Sequence, residues 1–395
     1  MRADAGVWTG TDWREALEGT LRQMPFLEGG AENDLVLLFA SDAYGEELPA
    51  LVAETRRRTR ARLLIGCSSQ GVIGPGREIE NEPGIALQAF SLPGATLTPS
   101  RLTAEDIASG RMARVWTDKL GHLAPADVNA WLFFIDPFTL DGESLLSLLG
   151  TVNRGVPLVG GLASGDYRRR RTYVFLNDEV FEDGAVGVAL GGAFTVRTVV
   201  SQGAAPIGET WTITEAEGNV IHSIGNRPAL EVLYDTFRDL DPETQQRAQA
   251  NLLVGLAMNE YRDEFQRGDF LIRNLVGVDQ ASGAIVVGAI PRGGQTIQFQ
   301  LRDPAAADED LHALLSRTKL ELEGVEPVGA LLCSCNGRGA GLFGTPDHDA
   351  RTLAELLGPV PVAGFFCNGE IGPVGGENYL HGFTASIALI VPKTD

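Results

Sequence analysis

The chain has 395 residues, 44% of them hydrophobic, which is enough for sizeable cores and too apolar for a disordered polypeptide. A net charge of −20 argues against nucleic acid as a partner, because general phosphate-backbone binding uses a basic face. Four cysteines in a chain this long make no disulfide framework. Neither a secretory leader nor a run of about 18 apolar residues is present, so a cytoplasmic protein without membrane insertion is expected.

In chain order, a helix pattern over residues 12–24 leads to an apolar strand at 35–40, a polar turn, a helix at 46–60 and a second strand. That strand runs into Gly66-Cys67-Ser68-Ser69-Gln70-Gly71, and a further strand follows at 84–90. The same order recurs with helices at 104–120 and 142–153, a strand at 130–135, and Gly160-Gly161-Leu162-Ala163-Ser164-Gly165, with further strands at 172–176 and 185–190. Residues 202–228, loosened by Gly, Pro and polar residues, predict a domain boundary. Helices are predicted at 227–237 and 242–260, then an antiparallel meander at 269–302.

A third copy follows: a helix at 306–322, a strand at 329–334, and a helix at 346–357 with Thr345 as N-cap and Pro346 in its first turn. It ends with Gly364-Phe365-Phe366-Cys367-Asn368-Gly369 and a strand at 383–391. Repetition on this scale predicts internal duplication and a mixed α/β fold: parallel neighbours joined by right-handed crossovers, trailing antiparallel strands, and flanking helices. The expected division is an N-terminal domain at 1–205 and a C-terminal domain at 206–395, the latter carrying the meander.

Gly-x4-Gly after a strand invites comparison with a phosphate-binding loop, but the residues after the last glycine are Val72, Asp166 and Glu370, where that loop needs Lys. Gly339-Ala340-Gly341-Leu342-Phe343-Gly344 fits a dinucleotide fingerprint only in isolation, because Cys335 to Arg338 intervene after the strand. No cofactor is expected. Cys67, Cys335 and Cys367 could gather near His381 or His348, but the Cys-x-Cys of Cys333 and Cys335 inside an apolar strand is not a zinc-finger spacing. Packing is the plainer reading, and no metal is expected. A Cys335 or Cys367 nucleophile aided by His381 stays open as an enzymatic alternative. Against it, the repeat places Ser69 and Ala163 where Cys367 stands, as a small-residue position would. The arginine run at 168–171 reads as a solvated hairpin tip before an anion site.

The densest polar set lies in the third copy: Asn336, Arg338, Asn368, Glu370, Asn378 and His381, with Cys367 among them. Arg338 offers a planar fork for a carboxylate, and Glu370 accepts from an ammonium group, so together they suit a zwitterion such as an amino acid. The competing reading is an Arg338–Glu370 ion pair that locks two loops. Ser68, Ser69, Ser164 and Asp166 are the candidate ligand contacts in the first two loops.

At these residues the chain resembles the FIST family, sensory modules named for F-box and intracellular signal transduction proteins. The resemblance rests on Cys335-Asn336-Gly337-Arg338-Gly339, on 364–373 and 380–386, on 268–285, 294–303 and 227–234, and on 64–74 and 157–166 in the first half. It implies paired N- and C-terminal sensory domains that bind a small ligand, amino acids included, and it brings no established catalytic residues. Relatives often carry kinase or chemoreceptor parts or an F-box. Too few residues flank the predicted strands here for such modules, so a stand-alone, non-catalytic sensor acting through a separate signalling protein is expected. A vestigial-pocket interaction scaffold is the remaining alternative.

Overall fold

Three apolar strand pairs form the parallel centres of three six-stranded sheets. A computed structural model describes residues 1–25, 27, 32–120, 123–166, 168–262 and 264–393. The first repeat comprises β1 (Arg2–Thr9), α1 (Trp13–Leu21), β2 (Asn33–Ser41), α2 (Leu48–Thr59), β3 (Ala61–Ser69), the hairpin β4 (Val72–Gly74) and β5 (Arg77–Ile79), and β6 (Gly84–Ser91). The second comprises β7 (Ala95–Leu102), α3 (Ala104–Ala108), α4 (Met112–Leu120), β8 (Val128–Ile135), α5 (Gly142–Val152), β9 (Leu158–Leu162), the hairpin β10 (Val174–Leu176) and β11 (Glu179–Phe181), and β12 (Ala185–Gly192).

The third repeat opens with β13 (Phe194–Gln202) and is interrupted at once. The insertion carries β14 (Ala204–Glu217), β15 (Val220–Ile224), β16 (Arg227–Pro228), α6 (Ala229–Arg238), α7 (Pro242–Asn251), β17 (Leu252–Ala257), β18 (Phe270–Asp279), β19 (Ala284–Val287) and β20 (Thr296–Arg302). The repeat resumes through α8 (Pro304–Glu321) to β21 (Gly329–Cys335), α9 (Ala340–Phe343), α10 (His348–Leu357), β22 (Val362–Cys367), the hairpin β23 (Glu370–Val374) and β24 (Glu377–His381), and β25 (Thr384–Pro392).

The sheet orders are β1-β6-β2-β3-β10-β11, β7-β12-β8-β9-β23-β24 and β13-β25-β21-β22-β4-β5. Each repeat supplies four strands of its own sheet and receives a hairpin from another repeat. The exchange is cyclic: the first lends to the third, the second to the first, the third to the second. Such a sheet is completed only when all three copies are present. Accordingly one compact unit gathers Met1–Val200, His312–Leu380 and the chain from Thr384 onward. The second unit is Ser201–Leu311 with His381–Phe383. The linear division at 205/206 therefore does not describe the compact units, since the third repeat folds with the first two.

The repeated glycine has a steric cause. Gly66, Gly160 and Gly364 stand opposite Leu38, Phe133 and Leu332 in the parallel ladders. A Cβ on them would lie 1.7, 1.9 and 1.9 Å from those residues' carbonyl oxygens. The strand thus continues through the first glycine, where the sequence pattern predicted its end. Inside, Phe39, Phe134 and Phe365 form a triangle with ring centroids 5.2, 4.8 and 5.8 Å apart. Phe39 pairs in register with Cys67, Phe134 with Gly161 and Cys333 with Phe365. The third repeat has exchanged its large and small residues between strands, which conserves core volume. Cys67 and Cys333 are the small partners, buried as packing residues are.

The insertion forms an antiparallel sheet in which β14 pairs with both β20 and β15, so the sheet closes on itself around an apolar core. Two sequence expectations for the insertion are corrected, and others elsewhere. The helix at 242–260 ends at Asn251 and gives way to β17, whose uniformly apolar LLVGLA lies between β18 and β20. The loosened linker at 202–228 is largely β14 and β15; β14 keeps few buried side chains, so its strand alternation was faint. The helix at 104–120 breaks between α3 and α4, with Gly110 at φ 61. Residues before the first predicted strand include β1, paired with β6. Thr345 does not cap α10: Asp347 precedes it in a left-handed conformation and gives its carboxylate to Glu78 N–H (2.7 Å) and Arg351 (3.0 Å) instead.

Candidate functional site

The three Gly-x4-Gly segments interlock. Ser164 N–H donates to Ser68 O (3.2 Å), and Asn368 N–H to Leu162 O (3.1 Å). By symmetry the third bond would join Gln70 N–H to Phe366 O. The Ser164 hydroxyl stands in that place, accepting from Gln70 N–H at 2.9 Å and donating to Phe366 O. Ser68 Oγ donates to Ser164 O (3.1 Å) and accepts from Tyr173 N–H (2.9 Å). Ser68 and Ser164 therefore have their hydroxyls engaged in joining loops. Ser69 is fully buried, and its hydroxyl has no hydrogen-bond partner among the described residues. Replacing Ser164 by Ala removes the hydroxyl that serves both the Gln70 N–H and the buried Phe366 C=O, and should lower stability by about 1–3 kcal/mol in denaturant titration. A loss of only a few tenths would mean the ring is redundant.

Asp166 turns away from this ring. Its N–H donates to Asp42 (2.7 Å), and its carboxylate accepts from Arg168 N–H (2.9 Å) and pairs with Arg169 (3.4 Å). Asn378 spans Leu158 N–H (2.8 Å) and Val156 O (2.9 Å), securing the start of β9. His381 is buried at the end of β24, and with Gly382 and Phe383 it falls in the second compact unit.

Asn336, Arg338, Cys367, Asn368 and Glu370 do come together, at the carboxyl ends of β21 and β22. That is where parallel α/β sheets place their ligands. Asn336 Nδ2 donates to Asn368 Oδ1 (2.7 Å), and Asn368 Nδ2 to Ala163 O (3.0 Å). Asn368 is exposed and Asn336 half-buried, so this pair forms the outer edge.

Behind it lies Arg338, 1% exposed. The expected Arg338–Glu370 ion pair is not what forms. Arg338 makes a two-pronged bridge to Asp349, Nε to Oδ2 and Nη2 to Oδ1, each 2.8 Å. Asp349 also accepts from Ser334 Oγ (2.9 Å) and meets His348 Nδ1 (3.0 Å). Burial opposes the Asp349 charge, but Arg338 and these hydrogen bonds outweigh it and hold the carboxyl well below its usual range. Arg338 Nη1 and Asn336 Oδ1 are buried without a hydrogen-bond partner among the described residues.

Glu370 is fully buried and takes Thr384 N–H (3.1 Å), Thr384 Oγ1 (2.6 Å) and the Cys367 thiol (3.3 Å). Burial pushes it up to about 7, against those donors and the Arg338 charge. Sequence reading missed Glu78. It reaches from the borrowed β4–β5 hairpin to accept Ala350 N–H in the first turn of α10 (3.0 Å). Burial, and then Asp349, push it up to about 8. Nothing local at Glu78 marks this role, because it depends on the hairpin exchange.

A family model described as the FIST N domain matches residues 34–227, and one described as the FIST C domain matches 229–373. The chain belongs to the FIST family. Curated relatives cover nearly all of it. An uncharacterized protein of Mycobacterium tuberculosis is 40% identical over 99% of this chain and 100% of its own. One of Mycobacterium bovis is 36% identical over 99% of each chain. Among solved structures, a cyanuric acid hydrolase from A. caulinodans covers 100% of this chain at 10% identity with a TM-score of 0.35, too low to bear on FIST chemistry. FIST domains are generally linked to signal transduction, and no described helix here is long and apolar enough to cross a membrane.

Proposed function

We propose that this FIST protein is a cytoplasmic, non-catalytic sensor that binds a small polar ligand at the carboxyl ends of β21 and β22. A separate signalling protein receives its output. The observation that carries the reading is Arg338 Nη1, a buried cationic donor with no hydrogen-bond partner among the described residues, while Nε and Nη2 are fixed on Asp349. A buried, charged N–H left this way loses about 1–3 kcal/mol or more, and an anionic ligand group restores it. Asn336 Oδ1, also buried and with no hydrogen-bond partner among the described residues, adds an acceptor beside the exposed Asn368. A donor and an acceptor together suit a carboxylate-bearing polar molecule, such as an amino acid.

The test is a thermal-shift screen of free amino acids and small dicarboxylates. A ligand at about a hundred times its Kd adds about 2.7 kcal/mol to native stability, which is a clear rise in Tm. A hit whose shift disappears in Asn336→Leu supports the reading. A screen without hits, or a hit insensitive to that substitution, refutes it.

A further inference from the structure

We propose that Cys335 is a peroxide-reactive thiol and that Cys367 resolves it, closing a disulfide between β21 and β22. The two residues are register partners in adjacent parallel strands. Register partners share a face of the sheet, and strands about 4.8 Å apart fall within the Cα spacing a disulfide accepts. The arrangement separates the roles of the thiols. Cys67, Cys333 and Cys367 are buried, whereas Cys335 is partly exposed. Gly337 N–H points at Cys335 Sγ (3.5 Å), and the Arg338 guanidinium interacts with it. A cation and an N–H donor are surroundings that favour a reactive thiolate. Cys367 is the opposite case: burial and then Glu370 push its thiol well up, so it does not react first. Its Sγ lies 3.3 Å from both the Ser334 carbonyl oxygen and Glu370 Oε1, and of these two acceptors the Glu370 carboxylate, pushed up to about 7, is the one that can take the proton.

The chemistry needs hydrogen peroxide as oxidant. Cys335 sulfur attacks one peroxide oxygen; an S–O bond forms, the O–O bond breaks, and the departing oxygen leaves as water once protonated. Cys367 then passes its proton to Glu370 as its sulfur attacks Cys335. The S–S bond forms, the S–O bond breaks, and hydroxide leaves and is protonated to water. Two thiols and one peroxide thus give one disulfide and two waters. The bond would tie together the strand ends that carry Asn336 and Asn368. This proposal does not depend on the ligand reading, because its readout is a covalent product.

The experiment treats the full-length protein with hydrogen peroxide, blocks remaining thiols with iodoacetamide, and maps peptides without reduction. Wild type should yield a Cys335–Cys367 disulfide. Cys367→Ala, or Cys367→Ser should the alanine variant not fold, should accumulate a Cys335 sulfenic acid trapped by dimedone. Glu370→Gln should form the sulfenic acid at the wild-type rate but close the disulfide about a hundredfold more slowly, the scale of a lost general base. An unmodified Cys335, a disulfide joining any other pair, or undiminished closure in Glu370→Gln overturns the proposal.

Discussion

Arg338→Met is expected to lower the stability of the protein by about 3–5 kcal/mol, the cost of stranding one member of a buried ion pair. Arg338 and Asp349 are each 1% exposed, and Asp349 keeps its charge because the guanidinium fork faces it. Without Arg338 the carboxyl must take up a proton or stay charged with Ser334 and His348 as its hydrogen-bond partners and the Glu78 carboxyl nearby. Replacing the pair together, as Arg338→Met with Asp349→Leu, should recover most of the loss, since apolar replacements of a whole buried pair are often neutral. Urea titration of the three variants measures this. A single-variant loss below about 1 kcal/mol would show that the bridge is not a strut.

Glu370→Gln should change the pH dependence of stability, and the sign is fixed by burial. The folded carboxyl titrates at about 7, above its ordinary 4.5. Below 4.5 both folded and unfolded states hold the proton, and the group costs nothing. As pH rises toward 7 the unfolded state gives up its proton more readily, so wild-type stability falls. Above 7 the penalty is constant, at about 3 kcal/mol. Gln has no charge to bury, so the variant should gain on wild type by about that amount between about pH 4.5 and about pH 8. Glu78, pushed up to about 8, adds a fall of the same sign that reaches higher pH and persists in the variant. Equal differences at both pH values would mean Glu370 is charged in the fold at no cost.

The repeat was legible because its signal is steric. Gly66, Gly160 and Gly364 each meet a carbonyl that excludes any Cβ, so the same residue recurs at the same register. What sits at the strand ends was legible too, since Asn336, Arg338, Asn368 and Glu370 follow directly from strands the pattern located. The partners of those residues were not. Asp349 carries no mark of its own in the sequence pattern, yet it is buried beneath Arg338. Glu78 arrives on a hairpin lent by the first repeat, an exchange that no local pattern encodes. Ser164 looked like a ligand contact, but its hydroxyl completes a ring of loop bonds that only three assembled copies create. Likewise β17 is apolar on every residue, and periodicity cannot separate such a strand from a buried helix.

The central claim is that the strand ends of the third repeat hold a small polar ligand through Arg338 and Asn336. Isothermal titration calorimetry with the strongest thermal-shift hit tests it most directly, run on wild type, Asn336→Leu and Asn378→Ala. Asn378 secures the start of β9 and so serves as the control. Loss of a hydrogen bond to a charged group, about 1.5–3 kcal/mol, predicts an affinity at least tenfold weaker in Asn336→Leu and unchanged in Asn378→Ala. Equal affinity in all three proteins would contradict the claim.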